Sequence, residues 1–333
     1  MLKTQSIEKI FECDDELFFS TALLFFQHQS THNIVYRAYL QAIHAENRIP
    51  QRPSDIPFLP IPFFKQKIIR TSELPVPVHR TPLWFESSGT TGQINSRHDV
   101  PNPELYETSF MRAFEKQYGD VADYCILGLL PSYLEREHSS LVYMVRHLMK
   151  ASGHPFNDFY LHDHDALADR LRLLESTGQK TLLIGVTYAL LDFAEKHAFP
   201  LQHTVLMETG GMKGRRDELI REEVHDRLRN AFSLDHIHSE YGMTELLSQA
   251  YAKYDGLFTA PPWMKVMVRD VNDPFEVAPF GKGVLNVIDL ANIHSCCFVA
   301  TEDIGEVFPD GSFKVSGRLD ASDLRGCSLM VAD

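Results

Sequence analysis

Hydrophobic and polar positions divide the chain into stretches of different character. From residue 5 to 46 the spacing predicts mostly helix, with Phe18, Phe19, Phe25, Phe26, Tyr36 and Tyr39 on aromatic faces. Those rings read as packing residues, a lid over an apolar substrate being the alternative. From Pro50 to Pro82 the prolines at 50, 53, 57, 60, 62, 75, 77 and 82 preclude a long helix. Ile56, Phe58, Leu59, Ile61, Phe63 and Phe64 are too apolar to stay in water, so the segment reads as an extended, packed connector rather than a disordered linker.

Further on, strand and helix patterns alternate. Tyr124 to Leu130 reads as a buried strand, followed by a helix with Leu141, Met144, Val145, Leu148 and Met149 on one face. Ser139 or Ser140 caps its start and Gly153 stands past its end. Asp165 is the expected cap of a second helix through Leu167, Leu171 and Leu174, stopped near Gly178. Thr181 to Ile184 and His203 to Met207 are strands, and Thr187 to His197 is a helix. A charged helix is expected from Asp217 to Phe232, with Ile220, Val224, Leu228 and Ala231 inward. This alternation argues for an α/β sheet. From Gly256 the chain is strand- and turn-rich, with Val284 to Ile288 and Cys297 to Thr301 the clearest strands, and no internal repeat is present.

Length and charge narrow the function. A chain of 333 residues suggests about two domains. The formal net charge of −13 argues against a general nucleic-acid binder, and it obliges any phosphate site to supply local donors and a metal. The start MLKTQSIEKI, followed by the acidic run Glu12 to Glu16, is no secretory leader. Leu17 to Phe26 is too short for a bilayer, so no integral membrane segment is expected. Five cysteines without a paired CxxC spacing, two of them adjacent at Cys296 and Cys297, suit a reducing cytoplasm.

The stretch with the most chemistry is Ser87-Ser88-Gly89-Thr90-Thr91-Gly92, behind the short apolar run Thr81 to Phe85 that feeds it as a strand. Two glycines let the backbone turn tightly and approach a ligand, and four hydroxyls supplement its N–H groups, as a polyphosphate cradle requires. An ordinary Ser/Thr/Gly turn is the plain alternative. It is no Walker A loop, since Gln93 to Arg97 contains no lysine. Three later stretches add to it. Ser239-Glu240-Tyr241-Gly242-Met243-Thr244-Glu245 joins an aromatic face, a hydroxyl and a carboxylate. Thr301 to Val307 carries Asp303 at a strand tip, and Gly317-Arg318-Leu319-Asp320 sets an arginine beside a turn.

In this order the motifs resemble the adenylate-forming superfamily, which includes acyl-CoA synthetases, luciferases and peptide-synthetase adenylation domains. The resemblance implies an α/β fold: a large N-terminal domain with mixed sheets flanked by helices, over residues 1–317 with a helical entry region at 1–60. Residues 318–333 would be a hinge and a stub, the mobile C-terminal domain being largely absent. It implies ATP and Mg²⁺ as cofactors. Ser87, Ser88, Gly89, Thr90, Thr91 and Gly92 would close over the β- and γ-phosphates; Gly210, Gly211 and Met212 would lie against adenine; and Tyr241, followed by Gly242, would stack on it. Thr244 would bond the α-phosphate, Glu245 would hold Mg²⁺, Asp303 would grip the ribose hydroxyls, and Arg318 would also reach the nucleotide, with Asp320 at the hinge. The lysine usual after the phosphate loop is missing, Arg97 being the nearest base.

Leu130 to Arg136, Glu208 to Arg216 and Arg325 to Leu329 look like the short LuxE-type acyl-protein-synthetase branch, related to phenylacetate–CoA ligases. That branch implies activation of a fatty acid or other carboxylic acid, transfer of the acyl group to Cys327, and delivery to an acyl reductase partner. Arg325 and Arg318 would raise the thiolate fraction of Cys327. Cys13, Cys125, Cys296 and Cys297 read as packing residues. Lys213, Arg215 and Arg216 serve either phosphate binding or a solvated helix start. His162-Asp163-His164-Asp165 alternates too closely in a loop, without a further ligand set, to read as a metal site. The rival functions are an ATP-independent acyltransferase using a thioester donor and a non-catalytic binding subunit of a reductase complex.

Overall fold

Asp14 and Asn33 set the start of the first two helices. The Asp14 carboxylate accepts the Leu17 N–H at 2.9 Å and opens α1 (Asp15–His32), and the Asn33 side chain accepts the Tyr36 N–H at 3.0 Å and opens α2 (Ile34–Ala42). Phe18, Phe25, Phe26 and Tyr36 are buried, as the aromatic faces predict. The computed structural model describes residues 9–74, 76, 80–87, 95–130, 138–210 and 219–319. The chain forms two units, one of residues 1–75 and 262–333, the other of residues 76–261.

The proline-rich connector packs as its apolar residues require: Ile56, Phe58, Leu59, Ile61 and Phe64 are buried, and β1 (Leu59–Pro60) is a two-residue strand. The unit of residues 76–261 then opens with an antiparallel hairpin of β2 (Leu83–Glu86) and β3 (Arg97–Val100). After α3 (Pro103–Tyr118), capped by Asn102 with Pro103 in its first turn, strands and helices alternate. They run β4 (Cys125–Leu129), α4 (Ser140–Ser152), β5 (Asp158–Phe159), α5 (His164–Thr177), β6 (Thr181–Gly185), α6 (Thr187–Lys196), β7 (Thr204–Glu208), α7 (Arg221–Phe232) and β8 (His238–Tyr241). The unit closes with β9 (Ala250–Ala252) and β10 (Phe258–Thr259).

Its sheet has the order β5-β4-β6-β7-β8-β9-β10, parallel as far as β8 and antiparallel beyond. Every residue of β4 and β6 is buried, which is why both read as unbroken apolar runs. Ser139 caps α4, and Gly153 ends it at a positive φ of 62°. Two local expectations are corrected. Asp163, not Asp165, caps α5 by accepting the Ala166 N–H at 3.0 Å, while Asp165 faces His197 Nε2 at 3.1 Å. Ile220 lies before α7 in extended backbone and is 62% exposed, so only Val224, Leu228, His225 and Phe232 form its buried face. Residues 217 and 218 lie outside the described residues.

The chain then returns to the first unit as β11 (Met264–Arg269), β12 (Val277–Ala278), β13 (Gly281–Asp289), β14 (Phe298–Val307) and β15 (Phe313–Arg318). They form an antiparallel order β12-β11-β13-β14-β15, and β1 joins β14 in parallel with Leu59 opposite Val299. Buried amides tie α1 to the turn before β14. Gln29 Nε2 donates to Ile293 O at 3.0 Å while its Oε1 accepts the Cys297 N–H at 3.0 Å, and Asn33 Nδ2 donates to Ser295 O at 2.7 Å. These bonds satisfy backbone groups that no ladder reaches. Among the described residues no helix is long and apolar enough to cross a membrane. Replacing Gln29 with Leu strands the Cys297 N–H in the core, and urea midpoints should show a loss of about 1–3 kcal/mol.

Candidate functional site

Beyond the last ladder pair, Glu86 opposite Arg97, the hairpin continues through one backbone bond and one side-chain bond. Ser87 N–H donates to Ser96 O at 3.0 Å, and Ser96 N–H donates to Ser87 Oγ at 2.9 Å. The hairpin is therefore zipped up to Ser87, the first residue of the hydroxyl-rich run. Ser88, Gly89, Thr90, Thr91 and Gly92 lie outside the described residues. Arg97, the base nearest that run, is engaged inside the hairpin: its guanidinium lies 4.5 Å over the Trp84 ring and its Nε is 2.9 Å from Asp99 Oδ1.

The next residue along β3, His98, sits opposite Phe85 and is 1% exposed. Its Nδ1–H donates to the Thr244 carbonyl at 2.8 Å. Burial pushes its pKa down to about 4, so the ring is neutral at pH 7 and holds that proton for Thr244. One hydrogen bond thus fixes the stem of the hydroxyl-rich run against the Tyr241–Glu245 stretch. No motif contains His98, and only the strand register reveals its role.

Tyr241 ends β8 opposite Ala250, nearly buried, with its ring 5.8 Å from that of Phe258. Gly242 follows where a Cβ would crowd a carboxyl oxygen of Glu240, the movable end of that side chain. Glu245 is 5% exposed. Two strands pair in parallel with Glu208 opposite Ser239, which sets Gly210, just past its strand, level with Tyr241, the last residue of β8. The carboxyl ends of parallel strands are where open α/β sheets bind ligands.

Glu208 shapes that edge and was not singled out by sequence. Its Oε2 accepts the Gly210 N–H at 2.7 Å and the Thr187 hydroxyl at 3.0 Å, and its Oε1 faces Arg221 Nε and His225 Nε2, each at 3.6 Å. Burial pushes its pKa up, but the bonds from His225, Ser239 and Gly210 and the charge of Arg221 outweigh this and hold it at about 2. Gly210 takes a positive φ of 72°, which carries the chain off the strand at that anchor. An acid closing the apolar run Val205-Leu206-Met207 was the available signal. Gly211 and Met212 lie outside the described residues, as do Lys213, Arg215 and Arg216.

In the other unit, Asp303 and Arg318 are direct cross-strand neighbours, Asp303 lying within β14 rather than at a strand tip because pairing with β15 continues the strand past it to Val307. Arg318 Nε stands 3.9 Å from Asp303 Oδ1 and its Nη2 3.6 Å from Glu302 Oε2. Asp303 N–H donates to Thr301 Oγ1 at 3.1 Å, which fixes the backbone below its carboxylate. Asp320 and Cys327 lie outside the described residues. Cys13, Cys125, Cys296 and Cys297 are buried free thiols, and burial pushes Cys125 up to about 11 and Cys296 up to about 12.

No protein-family model matches the chain. It is 23% identical over 370 aligned positions to the long-chain-fatty-acid–luciferin-component ligase of Vibrio harveyi, covering 99% of this chain and 96% of that protein. Among solved structures, the ATP-bound MatB of Rhodopseudomonas palustris superposes with a TM-score of 0.51 at 17% identity, over 71% of this chain and 47% of that one. The luciferase-like enzyme of the nonluminescent Zophobas morio mealworm superposes with a TM-score of 0.50 at 15% identity, over 74% and 60%. The chain thus spans about half the length of the first of these solved relatives.

Glu240 gives the site a pH signature. Burial first, and the charge of Glu208 second, push its pKa up to about 8. The folded state therefore holds a proton that the unfolded chain releases near pH 4 to 5, and stability falls as pH rises toward 8. Glu240→Gln removes this loss. Relative to the parent it should gain up to a few kcal/mol between pH 5 and pH 8, read from melting or urea midpoints.

Proposed function

We propose that this chain, which carries the adenylate-forming fold and falls with its LuxE-like acyl-protein-synthetase branch, activates a carboxylic acid with ATP and passes the acyl group to a cysteine. The acid is a fatty acid by likeness to the Vibrio harveyi ligase. The observation that carries this reading is the His98–Thr244 bond, because it joins the stem of a polyphosphate-type loop to the residue proposed for the α-phosphate.

In the first step an acid oxygen attacks the α-phosphorus of ATP, the bond to the β-phosphate oxygen breaks, and pyrophosphate leaves an acyl-AMP. Ser87 to Gly92 hold the β- and γ-phosphates, and Thr244 bonds the α-phosphate. Gly210, Gly211, Met212, Tyr241 and Gly242 form the adenine edge. Asp303 accepts from the ribose hydroxyls, and its neighbour Arg318 reaches the nucleotide. Glu245 fits Mg²⁺, since this ion commonly uses one or two carboxylates and completes its shell with phosphate oxygens and water. The metal supplies neutralisation of phosphate charge. Catalysis then rests on alignment and electrostatics, with no protein nucleophile in this step.

In the second step a cysteine thiolate attacks the acyl carbon, the bond to the phosphate oxygen breaks, and AMP leaves a thioester. The chain has five cysteines, and the four described ones are buried with their thiols pushed up. This supports Cys327 as the acceptor. Free buried thiols also suit a reducing cytoplasm. A thioester on the protein is a carrier form, which an acyl reductase partner would discharge.

The test is incubation of the full chain with ATP, Mg²⁺ and a labelled fatty acid. Label should appear on the protein, survive denaturation, leave with hydroxylamine, and be absent in Cys327→Ser, which should still release pyrophosphate. Labelling from an acyl thioester with nucleotide omitted contradicts the reading, as does an absence of acid-dependent pyrophosphate release.

A further inference from the structure

The face shared by β8 and β9 carries polar groups that the proposed activation chemistry does not use. Glu240 and Tyr251 stand directly opposite each other in the antiparallel pair, so their side chains share one face. Gln249 shares that face two residues before Tyr251. Its Cγ lies 3.4 Å from the ideal Cβ position at Gly242, the same point that the Glu240 carboxylate crowds. Three polar side chains thus gather beside the stretch that holds Thr244 and Glu245.

The neighbouring polar groups are paired. The Tyr118 hydroxyl bonds with His238 Nδ1 at 3.2 Å, the Tyr106 hydroxyl donates to Ser140 O at 3.1 Å, and Ser109 and Ser248 join their hydroxyls at 3.0 Å. Aromatic walls close in as well, with Tyr118 edge-on to Tyr251 at 5.4 Å and Phe114 at 6.5 Å. Against this background the Tyr251 hydroxyl and Gln249 Oε1 have no hydrogen-bond partner among the described residues, although the two residues are only 2% and 3% exposed. A buried polar group left unpaired carries its full desolvation cost. Glu240, half-buried, gives the cluster an accessible side.

We propose that Glu240, Gln249 and Tyr251 form a recognition point for a hydroxyl group carried by the acid substrate. This deepens the reading of the site as an acid-activating one and rests on it. A hydroxyl donates to Gln249 Oε1 and accepts from the Tyr251 hydroxyl, so one neutral group satisfies both orphans. Glu240, protonated at pH 7, offers a second donor and repels no neutral ligand. A plain alkyl chain at the same place leaves both orphans unpaired.

The test compares unsubstituted acids with hydroxylated acids of the same length, the hydroxyl being walked along the chain, by pyrophosphate release and by calorimetric binding to the full chain with ATP–Mg²⁺. One hydroxyl position should be preferred by about a hundredfold or more, because sites built for a hydroxyl reject the analogue lacking it strongly. Tyr251→Phe and Gln249→Leu should each reduce the ratio of hydroxylated to plain acid by about tenfold. Equal use of plain and hydroxylated acids by the parent protein overturns the proposal whatever the variants do, and so does an unchanged ratio in folded variants. Preferential binding of a hydroxylated acid without pyrophosphate release keeps this recognition point and removes the activation reading instead.

Discussion

A single buried hydrogen bond, His98 Nδ1–H to the Thr244 carbonyl, sets the geometry on which the candidate site depends. Two segments separated by 146 residues meet there. Full burial keeps the imidazole neutral, and the Thr244 carbonyl selects the tautomer that carries its proton on Nδ1. The short hairpin of β2 and β3 is too small to hold a position by its own core. Its anchorage comes from His98 on one face, and from the stacking of Trp84 on His138 at 3.4 Å.

The same region separates two carboxyl groups by environment. Glu208 receives an N–H, a hydroxyl and two cationic or polar neighbours, and stays ionised. Glu240, one position beyond Glu208's partner Ser239 on the next strand, gets burial and the charge of Glu208, and stays protonated at pH 7. Ionised Glu208 fixes the turn at Gly210. Protonated Glu240 faces the aromatic side of α3 without carrying charge into it. Two acids close together thus serve opposite ends, one as an anchor for backbone and one as a neutral donor.

Much of this was legible in the sequence because the parallel strands are short, continuous apolar runs and the helices carry ordinary caps. Tyr124 to Leu130, Thr181 to Ile184 and His203 to Met207 fall within a residue or so of β4, β6 and β7. The failures have local causes. Asp163 and Asp165 both stand where a cap is possible, and the choice depends on His197, a tertiary neighbour absent from any local window. Ile220 fits the helical period but precedes the first helical residue. His98 and Gln29 act through partners fixed by strand register or by turns far away in sequence, so no motif could announce them. Asp303 and Arg318, chosen separately from two short stretches, prove to be cross-strand partners.

The central proposal, which rests on no contact between the two units, is that the hairpin stem, the edge at Gly210, the Tyr241–Glu245 stretch and the Asp303–Arg318 pair each respond to one nucleotide. Hydrogen–deuterium exchange of the full chain with and without ATP–Mg²⁺ reads all four at once. The account predicts slowed exchange in residues 84–98, 208–212, 239–247 and 301–318 together on adding nucleotide. Protection confined to one of these stretches, or none at all, would contradict it.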